Sequence, residues 1–238
     1  MCGRYALTLP VEAMARLFGA VPANDLPPTP NYNICPTNQV PVVMHEDQRR
    51  LVSMRWGFIP FWYKTPQDGP LLINARAETL ADKPAFRSAA RERRCLLPAS
   101  GFYEWQKGEG GKRLPWYACR RDGAPMALAG IWQRWHPPHA ADGEPQTGEA
   151  LTTCLIVTAD ANHELAPIHD RMPVVLSPDQ WGLWLGEEGK GAAALMRPAP
   201  EGALCTYRVS TEVNSSRASG PRLIEAIDDR ATDMSRTQ

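Results

Sequence analysis

Cys2 is the second residue of a 238-residue chain, and loss of the initiator methionine leaves its thiol and a free α-amine two carbons apart. Reference pKa values of about 7.7–8.0 for an α-amine and about 8.5 for a thiol make both groups partly reactive near neutrality. An α-amine condenses with an aldehyde to an imine. A thiol two carbons away then closes onto that imine as a five-membered thiazolidine. Only an N-terminal cysteine offers both groups without an intervening peptide bond. The plainer alternative is a small buried residue that happens to follow Met1.

Three further segments concentrate reactive groups. In Asn74-Ala75-Arg76-Ala77-Glu78 the polar residues alternate with alanines. Positions i, i+2 and i+4 of a strand share a face, so an extended 71–79 would set an amide, a guanidinium and a carboxylate in one row. Such a row is either a binding groove or solvated surface. Glu104 stands among the aromatics of Gly101-Phe102-Tyr103-Glu104-Trp105. Facing inward, it would be desolvated, its pKa raised, and suited to proton transfer near neutrality. Facing outward, it would leave the aromatics to form the core. His169-Asp170-Arg171-Met172-Pro173 sets an imidazole beside a carboxylate and a guanidinium before an apolar strand. Histidine there is a general acid/base or a residue that satisfies a loop.

Other chemistries lack their residues. The chain has no G-x-S-x-G, no P-loop, no G-x-G-x-x-G and no C-x-x-C. His136 and His139 lie in a Pro-rich stretch without nearby thiols or acids, so no metal site is expected, and no cofactor. Trp62, Trp105, Trp116, Trp132 and Trp135 are able to stack nucleobases. Trp62, in a loop, is the better placed of them.

The elements that must position these groups are mostly strands. Pro10–Phe18 reads as a helix, with Val11, Met14, Ala15 and Phe18 on one face and Gly19 ending it. The stretch 21–38, rich in Pro and Asn, reads as an irregular connection. Strands are expected at 40–44, 51–58, 71–79, across Cys95–Gln106, around 114–120 after a glycine turn, and at 125–135, 152–159 and 172–176. Helices are expected over Pro84–Arg94 and from the Ser177 cap through Leu185. Residues 136–150 read as a surface loop. Strands outnumber helices and no βαβ alternation appears, which predicts the α+β class. The expected architecture is a single domain with a curled, largely antiparallel, barrel-like β-sheet core and a few flanking helices.

Hydrophobic residues make up 43% and charged residues 22%, the balance of a soluble globular protein. No apolar run approaches the roughly 20 residues that cross a bilayer, so no membrane is expected. The terminus lacks the features of a signal peptide, which predicts a cytoplasmic protein. Six scattered cysteines then read as free thiols, mostly buried in strands. With 26 basic and 26 acidic residues, any polyanion must be met by a local cluster.

Taken in order, Met1-Cys2-Gly3-Arg4-Tyr5, Tyr32-Asn33 with Pro36, Trp56-Gly57-Phe58-Ile59-Pro60-Phe61-Trp62, Ile73 through Thr79, Gly101 through Trp105, His169 through Pro173 and Val213-Asn214 resemble the SRAP (SOS response-associated peptidase) family. These are abasic-site processing proteins that attach themselves to damaged single-stranded DNA. The resemblance covers nearly the whole chain and implies one domain over 1–225 with a polar tail over 226–238. It implies Cys2 as nucleophile toward the ring-opened sugar of an abasic site, giving a thiazolidine DNA–protein cross-link. By the same resemblance Glu104 moves the protons, His169 opens the sugar and assists reversal or strand cleavage, and Asn74 orients sugar or terminus. Arg4, Arg76 and Arg171 hold flanking phosphates, and Trp62 and Pro36 support the splayed strand. Lyase and peptidase-like activities belong to the picture, as do a nucleoid-associated location on damaged DNA and a monomeric state. Cys35 stands where the family usually has a small residue such as alanine. The alternative is an N-terminal-nucleophile hydrolase of the glutamine amidotransferase type, which also begins Met-Cys-Gly. There the thiol attacks an amide and the α-amine serves as base.

Overall fold

The computed structural model describes residues 2–137 and 149–227. Most of the expected 136–150 loop and of the 226–238 tail therefore lies outside the described residues. Fourteen strands and three short α-helices are found among those described. The first half contributes β1 (Tyr5–Leu7), α1 (Val11–Phe18), β2 (Val21–Pro22), β3 (Asn31–Ile34), β4 (Gln39–His45), β5 (Arg49–Trp56) and β6 (Asn74–Arg76). Next come α2 (Arg87–Glu92), β7 (Arg94–Ala99), β8 (Gly101–Lys107), β9 (Arg113–Arg120), β10 (Met126–Trp135) and β11 (Leu151–Asp160). The chain closes with β12 (Arg171–Pro173), β13 (Val175–Leu176), α3 (Trp181–Leu185) and β14 (Leu204–Arg208).

Five strands close into a barrel. β4 pairs with β5 and β7, β7 with β10, and β10 with β11, all antiparallel. The ring shuts where β11 returns to β5 in parallel, Thr153 opposite Arg55 and Cys154 opposite Trp56. Closure leaves no edge on these strands. Val42, Met54, Trp56, Leu97, Leu128 and Leu155 on the ring are fully buried. The second sheet, ordered β14-β9-β8-β1-β3, is wholly antiparallel. A smaller apolar cluster of Ala6, Tyr103, Tyr117, Val209, Val213 and Leu223 ties it to the segment after β14. The α+β, single-domain, barrel-like architecture expected from sequence is the one observed. Among the described residues no helix is long and apolar enough to cross a membrane.

The two sheets share one bent path. What reads as a single strand from Cys95 to Gln106 is β7 in the barrel followed by β8 in the second sheet. Ser100 marks the corner. Its N–H donates to Ala6 O at 2.7 Å and its Oγ accepts from Thr8 N at 2.9 Å. A Cβ at Gly101 would stand 2.4 Å from the Tyr117 ring and 2.6 Å from Ala118 O, so only glycine lets β8 pass β9 this closely.

Several boundaries differ from those expected. Pro10 is the N-cap of α1, outside its first turn, while Gly19 ends the helix at φ 59° as anticipated. The 84–94 helix shrinks to Arg87–Glu92. The Ser177 capping box forms, but starts a 3-10 turn before α3. The 21–38 connection contains β2 and β3, both recruited by pairing partners remote in sequence. The 71–79 strand is extended only at Asn74–Arg76, and Ala77–Thr79 turns into a 3-10 helix. Glu78 therefore leaves the row it was expected to share with Asn74 and Arg76.

Candidate active site at Cys2

Two independent strand pairings converge on Cys2. In β1 and β8, Tyr5 lies opposite Phe102, and Tyr103 N donates to Arg4 O at 2.9 Å. The same antiparallel register carried toward the terminus sets Glu104 beside Cys2 and Gly3. From the barrel side, β6 pairs in parallel with β11, Asn74 opposite Ile156. This brings the Asn74 amide to Cys2, where Nδ2 donates to the Cys2 carbonyl at 2.8 Å. Asn74 Oδ1 is buried with no hydrogen-bond partner. A buried acceptor without a partner is uncommon, since nearly all buried polar atoms are hydrogen-bonded. His169 sits in the connection from β11 to β12, whose pairing sets Asp160 opposite Arg171. Its Nδ1 accepts from Arg171 N at 3.0 Å and lies 2.9 Å from Asp170 Oδ1.

Burial governs the electrostatics. Cys2 is fully buried, and desolvation, reinforced by the Glu104 carboxylate, holds its thiol far above the usual range. The Glu104 side chain faces inward at 2% exposure. Burial raises its pKa above that of a free glutamate, an effect that the nearby His169 opposes. A buried acid whose pKa rises toward neutrality can both give and take a proton. The structure thus gathers Cys2, Asn74 and Glu104 directly, with His169 within electrostatic reach of Glu104. Among the described residues no cluster of three or more metal-ligating side chains forms.

The arginines divide. Arg76 is exposed at the end of β6. Arg4 is half-buried, donating from one nitrogen to Asn33 Oδ1 at 2.7 Å and Val213 O at 2.8 Å, with its guanidinium over the Trp105 ring. Arg171 is buried and committed. It holds Glu78 through two bonds of 2.9 Å, Asp160 at 2.5 Å and Thr158 O at 2.7 Å, and it keeps the Glu78 carboxyl below its usual pKa. A guanidinium so engaged has no fork left for a phosphate. It braces β12, the 3-10 turn after β6 and the end of β11 into one wall.

Trp62 is 48% exposed and Phe61 beside it 70%, an unusual presentation for large apolar rings. Trp135 Nε1 fastens their loop by donating to Tyr63 O at 2.9 Å. Pro36 lies in a turn between β3 and β4, followed by Thr37 at a φ of 73°, a strained value for a β-branched residue. Cys35 is half-buried with its thiol raised by burial, its sulfur turned to Asn33 O at 3.4 Å. Two contributors went unassigned from sequence. Asn33 is a buried hub that receives Arg4 and donates to Ser215 O and Ala218 O. Trp105, next to Glu104, donates to Asn214 Oδ1 at 2.7 Å. Their signal was present in the Tyr32-Asn33 and Val213-Asn214 pairs, but only the fold brings those pairs together.

Fold and site define a single-domain barrel protein with a buried cysteine, Cys2, at the seam of two sheets. The chain belongs to the SOS response associated peptidase (SRAP) family, whose model matches residues 1–216. A Bacillus subtilis (strain 168) protein named abasic site processing protein YoqW is 33% identical over 233 residues, covering 95% of this chain and 100% of its own. The Escherichia coli (strain K12) abasic site processing protein YedK is 32% identical over 236 residues, covering 95% and 100%. The Xenopus tropicalis abasic site processing protein HMCES is 29% identical over 233 residues, covering 83% of this chain and 66% of its own. A Bacteroides thetaiotaomicron crystal structure superposes with a TM-score of 0.81 over 95% of this chain and 100% of that one, at 24% identity.

Proposed function

We propose that the protein processes abasic sites in single-stranded DNA by forming a covalent adduct through Cys2 once Met1 has been removed. The observation that carries this reading is the convergence of Asn74 and the inward Glu104 on a buried cysteine at the chain terminus. Because its thiol is kept protonated, the α-amine is the first nucleophile toward the aldehyde of the ring-opened sugar. Addition gives a carbinolamine. Glu104 in its acid form protonates the departing hydroxyl, and an iminium, water and the Glu104 carboxylate result. The Glu104 carboxylate then takes the thiol proton as sulfur attacks the iminium carbon, the nitrogen keeps its hydrogen as a neutral amine, and the thiazolidine closes. His169 serves the proton transfers that open the sugar. Asn74 Oδ1, buried and open, accepts from the new terminal amine or from a sugar hydroxyl.

Arg76 meets a flanking phosphate, and Trp62 stacks a base beside the lesion with Pro36 in support. Arg4 and Arg171 act mainly by holding Cys2 and His169 in place. At the imine stage β-elimination of the 3′ phosphate competes with ring closure, which supplies the lyase outcome. The protein acts as a monomer.

The test uses a single-stranded oligonucleotide with one abasic site and a denaturing gel. A covalent shift is expected that disappears in Cys2→Ala and persists in Cys35→Ala. An extra residue ahead of Cys2 should abolish it, since no 1,2-aminothiol then exists. Cross-linking at full yield by such a blocked chain would exclude the thiazolidine.

A further inference from the structure

Cys119 on β9 and Cys205 on β14 face one another directly in the antiparallel register of these strands. Their sulfur atoms are 3.1 Å apart, although the residues are 86 positions apart in sequence. Both are free thiols and both are half-buried, within reach of small reagents. Directly opposed residues of an antiparallel pair have Cα separations of about 4.5–5.5 Å. That span lies inside the roughly 4.4–6.8 Å window of disulfide geometry, so a bond needs no movement of either strand. The pair also has a structural neighbourhood. Cys119 packs against the smaller apolar cluster of Tyr103, Tyr117 and Val213. β14 continues into Val213 and Asn214, which hold Arg4 and Trp105.

We propose that Cys119 and Cys205 form a modification site, a dithiol that a low-molecular-weight disulfide converts into a cross-strand disulfide fastening the C-terminal segment to the sheet that carries Glu104. The thiolate of Cys205 attacks the small disulfide, giving a mixed disulfide and releasing one small thiolate. Cys119 passes its proton to that thiolate and attacks the Cys205 sulfur, expelling the second small thiol. The protein loses two hydrogens and two electrons, and the small disulfide becomes two thiols. Burial, together with the adjacent Cys205 sulfur, pushes the Cys119 thiol up to about 12, which keeps it protonated during the first, intermolecular step. This chemistry is independent of Cys2 and of DNA.

The test incubates the folded full chain with oxidised glutathione and maps its peptides by mass spectrometry under non-reducing conditions. The expected product is two hydrogens lighter, links the peptides of Cys119 and Cys205, retains no glutathione, and reverts with dithiothreitol. Its Tm should rise by about 5–10 °C, since a bond across so long a loop restricts the unfolded chain. Cys119→Ser and Cys205→Ser should each stop at a mixed disulfide, with no gain in Tm. Should either variant fail to fold, phenylarsine oxide on the wild-type chain should bind one equivalent and shield both cysteines from alkylation. Stable glutathionylation without a cross-link, a bond to Cys35, disulfide-linked dimers or no reaction would each overturn the proposal.

Discussion

Glu104 is the residue where the proposed function and stability pull apart. Burial raises its folded-state pKa, so folding favours the protonated form. Its contribution to stability is full below the ordinary value and is lost as pH rises through the folded value. Glutamine has no proton to lose. Glu104→Gln should therefore gain a few °C in Tm over the wild type as pH is raised from 5 to 8, read by thermal melts across that range. The same variant should slow adduct formation by about 100-fold or more while single-strand binding persists. Equal adduct rates would reduce Glu104 to a structural residue. Its neighbour Asn74 shows how much chemistry a sequence carries. The amide was legible as a recognition group, but its bond to the Cys2 carbonyl spans 72 positions. No local spacing encodes such a contact.

At the scale of elements, the β7–β8 corner sets the register on which Glu104 depends. Gly101→Ala would press a methyl into the Tyr117 ring and Ala118 O. The cost is about 2 kcal/mol, a Tm loss of roughly 4–8 °C for a chain of this size. A melt unchanged within 1–2 °C would mean that β9 gives way without strain. The corner also explains what sequence reading missed. Cys95 to Gln106 is uninterrupted strand by propensity, and only the Ser100 bonds to Ala6 and Thr8 reveal that it serves two sheets. β3 and β14 were missed for a related reason. Each is short, lies beside Pro- or Gly-rich chain, and is extended because a partner strand accepts it. Alternation failed at Glu78, where alanine at 77 permits the turn that delivers Glu78 to Arg171. The long hydrophobic strands of the barrel were legible because their burial is built into each segment.

For the whole molecule, zero net charge means that affinity for DNA comes from a few placed cations. The salt dependence of single-strand binding should accordingly be shallow, since each neutralised phosphate adds about 0.7 to the slope of log K against log salt. Arg76→Ala should lower that slope by about 0.7, measured by titration of a fluorescent oligonucleotide at several salt concentrations. Arg171→Lys should leave the slope unaltered, because its guanidinium is already taken by Glu78 and Asp160. A reversed pattern would exchange the roles of the two arginines.

The parallel seam between β5 and β11 orders events during synthesis. Arg55 waits for Thr153, so the ring cannot shut until two-thirds of the polypeptide has left the ribosome. β6 and β12 both dock on β11, so the walls that carry Asn74 and His169 cannot stand before β11 has been made.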